Sequence, residues 1–479
     1  MRFSVILRYI GTVMLCMAAF MAVSAFISYM DDDSGYYPLL LSSLLTLLLG
    51  AFPMLFVQKA ATISSKEGFS IVVGSWILAC VVGMFPYLIW GGDFSLIDAW
   101  FESVSGFTAT GATILDNVEA LPQGLLFWRS ATCWIGGAGV IMFALVILPS
   151  LGNNKALSSV ELSSLAKDNY RYRTQIIVRI LLVVYVGLTL ATTLLLRVAG
   201  MRWFDALNHA MSVCATGGFS TKNASVGFYD SPLIEAILIV AMVLASIHYG
   251  LIYATCARKA NNIFRSEVVK TYFAIIAIGS VAIGLSIYFA GIYPTIWQAM
   301  RKSLFQFVSL ISTTGFATAD TNLWTPFAIV LLIFASIVCA CAGSTSGGLK
   351  IDRLLLFGKV FMARLRLQRH PNAIIRIRVD GVLQEESQLD SAMVFIVSYL
   401  VFILLGTIGN TMFGLDMMTA FSSAVACIGN VGPGFGSVGS LDTFSHIPTV
   451  LKLQDTLLML MGRLEIFGFI QLLFIKWWR

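Results

Sequence analysis

Apolar runs of about 20 residues, enough for a helix rising ~1.5 Å per residue to cross a hydrocarbon core, recur ten times along the chain. They extend from Tyr9 to Tyr29, Pro38 to Val57, Phe69 to Trp90, Leu125 to Leu148, Ile176 to Leu196, Pro232 to Thr255, Tyr272 to Tyr293, Pro326 to Leu349, Ser391 to Phe413 and Leu451 to Trp477. The first follows Arg2 and Arg8 like a secretory leader with a small-residue cut near Ala25. Its apolar core is too long for a leader and a second run follows at once, so it reads as an uncleaved helix.

Four connections between runs are too long and too apolar to be solvated loops. Each holds a short helix-like run and then a Gly- and Thr-rich segment: SVSGFTATGATIL from Ser103, MSVCATGGFST from Met211, VSLISTTGFATAD from Val308 and AVACIGNVGPGFGS from Ala424. Gly111, Gly217, Gly315 and Gly432 recur at intervals of 106, 98 and 117 residues, a fourfold repeat with a period of roughly 100. The expected fold is an all-α polytopic membrane protein with four helix, pore-loop, helix repeats around one pore. Two extra N-terminal transmembrane helices (1–66) precede repeats at 67–152, 153–262, 263–378 and 379–479.

Composition agrees. The 479 residues are 58% hydrophobic and 12% charged, with a mean hydropathy of +0.85, against about 45–50% and about 25% in soluble globular chains. The net charge of +6 is not spread as a nucleic-acid surface would be. With an even number of spans and the N-terminus inside, about 23 of the 31 basic residues fall in cytoplasmic stretches, the excess the positive-inside rule requires. Eight of them lie between Lys350 and Arg378, where Asp352 is the only acid. Both termini are expected in the cytoplasm. The eight cysteines nearly all sit in or beside apolar runs, which is no disulfide framework.

Non-helical backbone at membrane depth is tolerated only where it lines a water-filled path or is buried in protein. Four such loops around one axis can replace an ion's hydration shell with backbone oxygens. Glycine suits them because consecutive carbonyls reach a common axis only through left-handed backbone angles that a Cβ disfavours. Short helices whose C-terminal ends face that axis add partial negative charge, favouring a cation. GSTSGGLK from Gly343 to Lys350 lacks the adjacent Gly-Lys-Ser/Thr of a phosphate-binding loop. An enzyme would need a polar catalytic set, and HExxH, Gly-x-Ser-x-Gly and paired intramembrane carboxylates are all missing. A secondary transporter of organic solutes is expected to carry inverted repeats with broken helices instead.

TATGAT, CATGGFST, STTGFATAD and GNVGPGFG, together with AGSTSGGLK and GRLEIFGF, resemble the Trk/Ktr/HKT superfamily of potassium transporters over nearly the whole chain. The two extra N-terminal spans make the chain more similar to the bacterial TrkH type than to KtrB. The resemblance implies potassium uptake across the bacterial inner membrane, with potassium as permeant substrate and no enzymatic cofactor. It also implies a homodimer working on a ring of cytosolic nucleotide-binding regulatory subunits, in contact with membrane lipid and not with nucleic acid. Carried over, the filter is Ala109, Thr110 and Gly111; Ala215, Thr216 and Gly217; Thr313, Thr314 and Gly315; and Asn430, Val431 and Gly432. Val431 stands where the other triplets have Thr. The implied gate is the segment Gly343, Ser344, Thr345, Ser346, Gly347 and Gly348, with Arg463 in mid-span. Arg463 is too deep to snorkel and so a functional candidate, pairing with Glu465 being the structural alternative.

Overall fold

The computed structural model describes residues 2–58, 60, 64–147, 174–258, 262–373, 375–466 and 468–470. Two long helices, α1 (Phe3–Met30) and α2 (Tyr36–Phe56), form an antiparallel pair at the N-terminus. Four repeats follow, each with an outer helix, a short inner helix, an extended loop and a further helix. In the first, α3 (Ser65–Gly83) turns at Met84 into α4 (Phe85–Trp90), and α5 (Leu96–Phe107) precedes the loop and α6 (Gln123–Ile147). In the second, α7 (Thr174–Val198) and α8 (Trp203–Cys214) lead to α9 (Pro232–Ala245) and α10 (Tyr249–Cys256). The third contains α11 (Glu267–Phe289), α12 (Ile296–Ile311), α13 (Pro326–Val338) and α14 (Ile351–Arg369). A two-stranded hairpin, Arg378–Val379 with Val382–Leu383, joins it to the fourth. That repeat holds α15 (Glu386–Met412), α16 (Met417–Gly429) and α17 (Thr449–Arg463).

Among the described residues six helices are long and apolar enough to cross a membrane. They match the first, second, third, fifth, seventh and ninth runs read from the sequence. The fourth is the continuous helix α6, Gln123–Ile147; the remaining three require correction. The sixth run is two helices bent by 104° at Ser246–His248. The eighth is helical only to Val338, because Cys339, Gly343, Gly348 and Lys350 all adopt positive φ and carry the chain away from a helical path. The tenth is helical to Arg463 and breaks at Leu464–Ile466; its predicted remainder from 471 onward lies outside the described residues. Hydropathy could not see these breaks, because the interrupted segments stay apolar.

The broken helices satisfy one another's backbone, as polar groups away from water must. The amide of Cys341 donates to the Ser246 carbonyl at the end of α9, and the amide of Tyr249 at the start of α10 donates to Gly343. The inner helices α5, α8, α12 and α16 have only 12, 12, 16 and 13 residues, about 18 to 24 Å at the α-helical rise, so they end inside the protein. Three begin at capping side chains, Ser95, Thr295 and Asp416, each accepting from the backbone N–H three residues on.

Candidate functional site

The four inner helices end in one backbone figure. After the last helical turn comes a non-glycine residue at positive φ: Ala109 at 52°, Thr216 at 55°, Thr313 at 59° and Asn430 at 52°. Two residues later a glycine is again at positive φ: Gly111 at 84°, Gly218 at 71°, Gly315 at 76° and Gly432 at 98°. Between them, the amides of Thr110, Gly217, Thr314 and Val431 donate back to the carbonyls of Ser105, Ser212, Ser309 and Ala426. The repetition corrects the register of the second loop by one residue. The counterpart of Gly111 is Gly218 rather than Gly217, and Ala215 belongs to the helix end. The equivalent triplet is Thr216, Gly217 and Gly218. The sequence offered two adjacent glycines there, and the Gly218-Phe219 pair, shared with Gly315-Phe316, was the signal that pointed to the second.

These glycines close a ring. A Cβ on Gly111 would lie 2.3 Å from the Gly217 carbonyl oxygen; on Gly218, 2.2 Å from that of Thr314; on Gly315, 2.2 Å from that of Val431; and on Gly432, 2.6 Å from that of Thr110. Each loop therefore rests its glycine against the preceding carbonyl of the next loop, and the fourth returns to the first. All four glycines line one open cavity of about 110 Å³, whose wall also carries Thr113, Asp116, Lys222 and Asp442. The position before each glycine is Thr110, Gly217, Thr314 or Val431, so two quadrants lack a threonine there, not one. The Thr110 hydroxyl is 2.7 Å from that of Thr108 and accepts from Asn430 Nδ2 at 3.0 Å, which links quadrants one and four. Thr314 Oγ1 is 2.8 Å from Ser312 Oγ.

Outside the ring, clasps join neighbouring loops. Val118 N–H donates to Asn223 Oδ1 at 2.7 Å, Gly227 N–H to the Ala317 carbonyl at 3.0 Å, and Phe444 N–H to the Thr113 carbonyl at 2.8 Å. Asn322 accepts from Gly436 N–H and donates to its carbonyl. Asp116 accepts from Thr443, a hydrogen bond that holds its carboxyl below the usual range.

Beneath the ring lies the interrupted third repeat. Thr345 Oγ1 donates to the Cys214 carbonyl at 3.0 Å, at the end of α8. Gly347 N–H donates to Thr313 Oγ1 at 3.3 Å, and a Cβ on Gly347 would come within 2.5 Å of the Gly429 carbonyl oxygen. The segment thus touches quadrants two, three and four at once. Arg463 supplies the remaining side: Nη1 donates to the Thr345 carbonyl at 2.6 Å and Nη2 to the Gly136 carbonyl of α6 at 2.8 Å. Glu465 is engaged elsewhere, with Lys350 Nζ at 2.9 Å and Arg353 Nη2 at 2.8 Å. The two residues share a helix break but serve different partners, against the alternative that they neutralise each other.

Sequence reasoning missed the residues behind the loops. Nine positions before each ring glycine stand Glu102, His209, Gln306 and Ser423, whose differing chemistry hid their equivalence. Glu102 accepts from Thr113 Oγ1, Ile114 N–H and Arg129 Nε. His209 Nε2 is 3.0 Å from Ser220 Oγ, and Gln306 donates to the Ala319 carbonyl at 2.8 Å. The signal that could have found them is their constant offset, visible only once the second loop is in register.

Comparison with known proteins gives a consistent result. The family described as "TrkH: Cation transport protein" matches residues 40–278 and 293–477. The chain is 32% identical over 486 residues to the Trk system potassium uptake protein TrkH of Escherichia coli K12, covering 100% of both chains. It is 35% identical over 426 residues to the protein of the same name from Salmonella typhimurium, covering 88% of each. The crystal structure of the potassium transporter TrkH from Vibrio parahaemolyticus superposes with a TM-score of 0.89 at 31% identity, covering 100% of both chains.

Proposed function

This chain belongs to the TrkH family of cation transport proteins, and we propose that it takes potassium into the cell through the ring of four loops. It is a polytopic membrane transporter, not an enzyme. The observation carrying the potassium path is the closed cycle in which Gly111, Gly218, Gly315 and Gly432 each abut a neighbour's carbonyl at the floor of a cavity. Backbone oxygens at 109–111, 216–218, 313–315 and 430–432 replace the ion's hydration water, and the C-terminal ends of four short helices add partial negative charge.

The segment from Gly343 to Gly348, with Arg463, serves as the gate. Arg463 adds a fixed positive charge beside a strand that holds three quadrants from below. Such a strand has few helical hydrogen bonds to break when it moves. In this reading the protein is a homodimer of the bacterial inner membrane with both termini cytoplasmic. A cytosolic ring of nucleotide-binding subunits acts through α14, whose Arg364, Arg366 and Arg369 are exposed. The test is flux into liposomes holding only this protein: rubidium is expected to enter and to outcompete sodium. Equal rubidium and sodium entry would overturn a potassium-selective ring.

A further inference from the structure

Glu102 and Arg129 are nearly inaccessible, at 0% and 2% exposure, and their ion pair sits behind the ring rather than in it. Its geometry is directed at the first loop. Thr113, two residues beyond Gly111, donates its hydroxyl hydrogen to the Glu102 carboxylate, with Oγ1 3.1 Å from both oxygens. The same Oγ1 accepts from Arg129 Nη2 at 3.2 Å. Ile114 N–H donates to Glu102 Oε2 at 3.2 Å. Arg129 then reaches the second loop, donating from Nη1 to the Ser220 carbonyl at 3.3 Å and stacking 4.1 Å from the Phe219 ring centroid. Ser220, also two residues beyond its ring glycine, meets His209 from the equivalent helix position.

The other half of the ring is held differently. In the third loop Gln306 ties a carbonyl four residues past Gly315. In the fourth, Ser423 turns away to Asp455 at 2.9 Å, and Ser422 clasps Phe435 instead. In the third loop the Ser309 hydroxyl of α12 also donates to the Phe316 carbonyl, one residue beyond Gly315, at 2.7 Å. A loop hydroxyl two residues past the glycine that meets the helix side chain nine residues before it is found, among the described residues, in quadrants one and two, and Arg129 joins those two.

We infer that Glu102, Arg129 and His209, acting through the hydroxyls of Thr113 and Ser220, are positioning residues for ion selectivity: they hold the first two loops at the spacing that favours potassium over the smaller sodium ion. This rests on the ring being the filter. A buried, fully hydrogen-bonded charged network is stiff, because losing one partner leaves another charge unsatisfied. Selection by size needs oxygens that do not close in on a smaller ion, so stiffness behind the loop becomes discrimination in front of it.

Removing Glu102 or Arg129 outright strands a buried charge, so the test acts on the hydroxyls. Thr113→Val keeps the ion pair and the side-chain shape; Thr113→Ser restores the hydroxyl; Ser220→Ala probes the second quadrant. Competition between rubidium and sodium is measured in liposomes, with melting temperature as the folding control and Gly111→Ser as the control for the ring. Thr113→Val is expected to raise relative sodium entry by at least about threefold at a near-wild-type melting temperature. Ser220→Ala should raise it less, and Thr113→Ser should stay within about twofold of wild type. An unchanged ratio in folded Thr113→Val and Ser220→Ala, where Gly111→Ser does shift it, overturns the brace and leaves the filter standing. Silence of Gly111→Ser as well overturns the filter reading, and the brace with it.

Discussion

Arg463 Nη1 donates to the Thr345 carbonyl at 2.6 Å, so the end of the last described long helix is bonded to the middle of the segment beneath the ring. The same guanidinium reaches Gly136 of the first repeat. One side chain thus spans the quadrant that the segment itself does not touch.

Arg463→Ala removes both bonds and the charge. Charge-assisted hydrogen bonds contribute about 1.5 to 3 kcal/mol each, so regulator-free rubidium flux should rise at least about tenfold, while Arg463→Lys, which keeps the charge, should stay closer to wild type. Wild-type flux from folded Arg463→Ala protein would remove Arg463 from the gate.

Gly111→Ser tests the ring directly. Gly111 is at φ 84°, and its Cβ would lie 2.3 Å from the Gly217 carbonyl oxygen, so the first and second loops must separate. Sodium permeability relative to potassium should increase about tenfold, equivalent to ~1.4 kcal/mol of lost discrimination. The reversal potential under bi-ionic conditions measures it, and an unshifted value would argue against this placement.

The corrected register predicts a difference between adjacent residues. At Gly218 an added Cβ has a positive φ to bear and the Thr314 carbonyl oxygen at 2.2 Å; at Gly217 it meets the Cys133 side chain at 2.7 Å without a left-handed φ. Gly218→Ala should therefore impair rubidium uptake by about tenfold or more, as expected for forcing a side chain into a left-handed, crowded position. Gly217→Ala should be milder. The reverse order would restore the register read from the sequence.

If the proposed cytosolic ring docks on α14, neutralising Arg364, Arg366 and Arg369 together should weaken its co-purification and leave the flux of the protein alone near wild type. All three are exposed on α14, and surface charges of this kind contribute little to stability. Failure of the triple variant to insert would mean that these arginines set topology rather than bind a partner.

The sequence alone determined the architecture: runs of about 20 apolar residues and a repeat near 100 leave few alternatives to four helix, loop, helix units, and the Thr-Gly strings located the loops. Glycine could be read as necessary because its tolerance of left-handed angles is intrinsic to the residue. Contacts between quadrants were not legible, since they join residues roughly a hundred positions apart. Whether Gly217 or Gly218 occupies the ring depends on which backbone turn fits against Thr314, a contact made only when the four loops meet. Hydropathy averages likewise ran straight through Cys339 and Leu464, because a broken helix buried in protein is as apolar as an intact one. Only tertiary structure paired the freed backbone of α9 with that of the third repeat, sent Glu465 to Lys350 and Arg353, and left Arg463 to the segment under the ring.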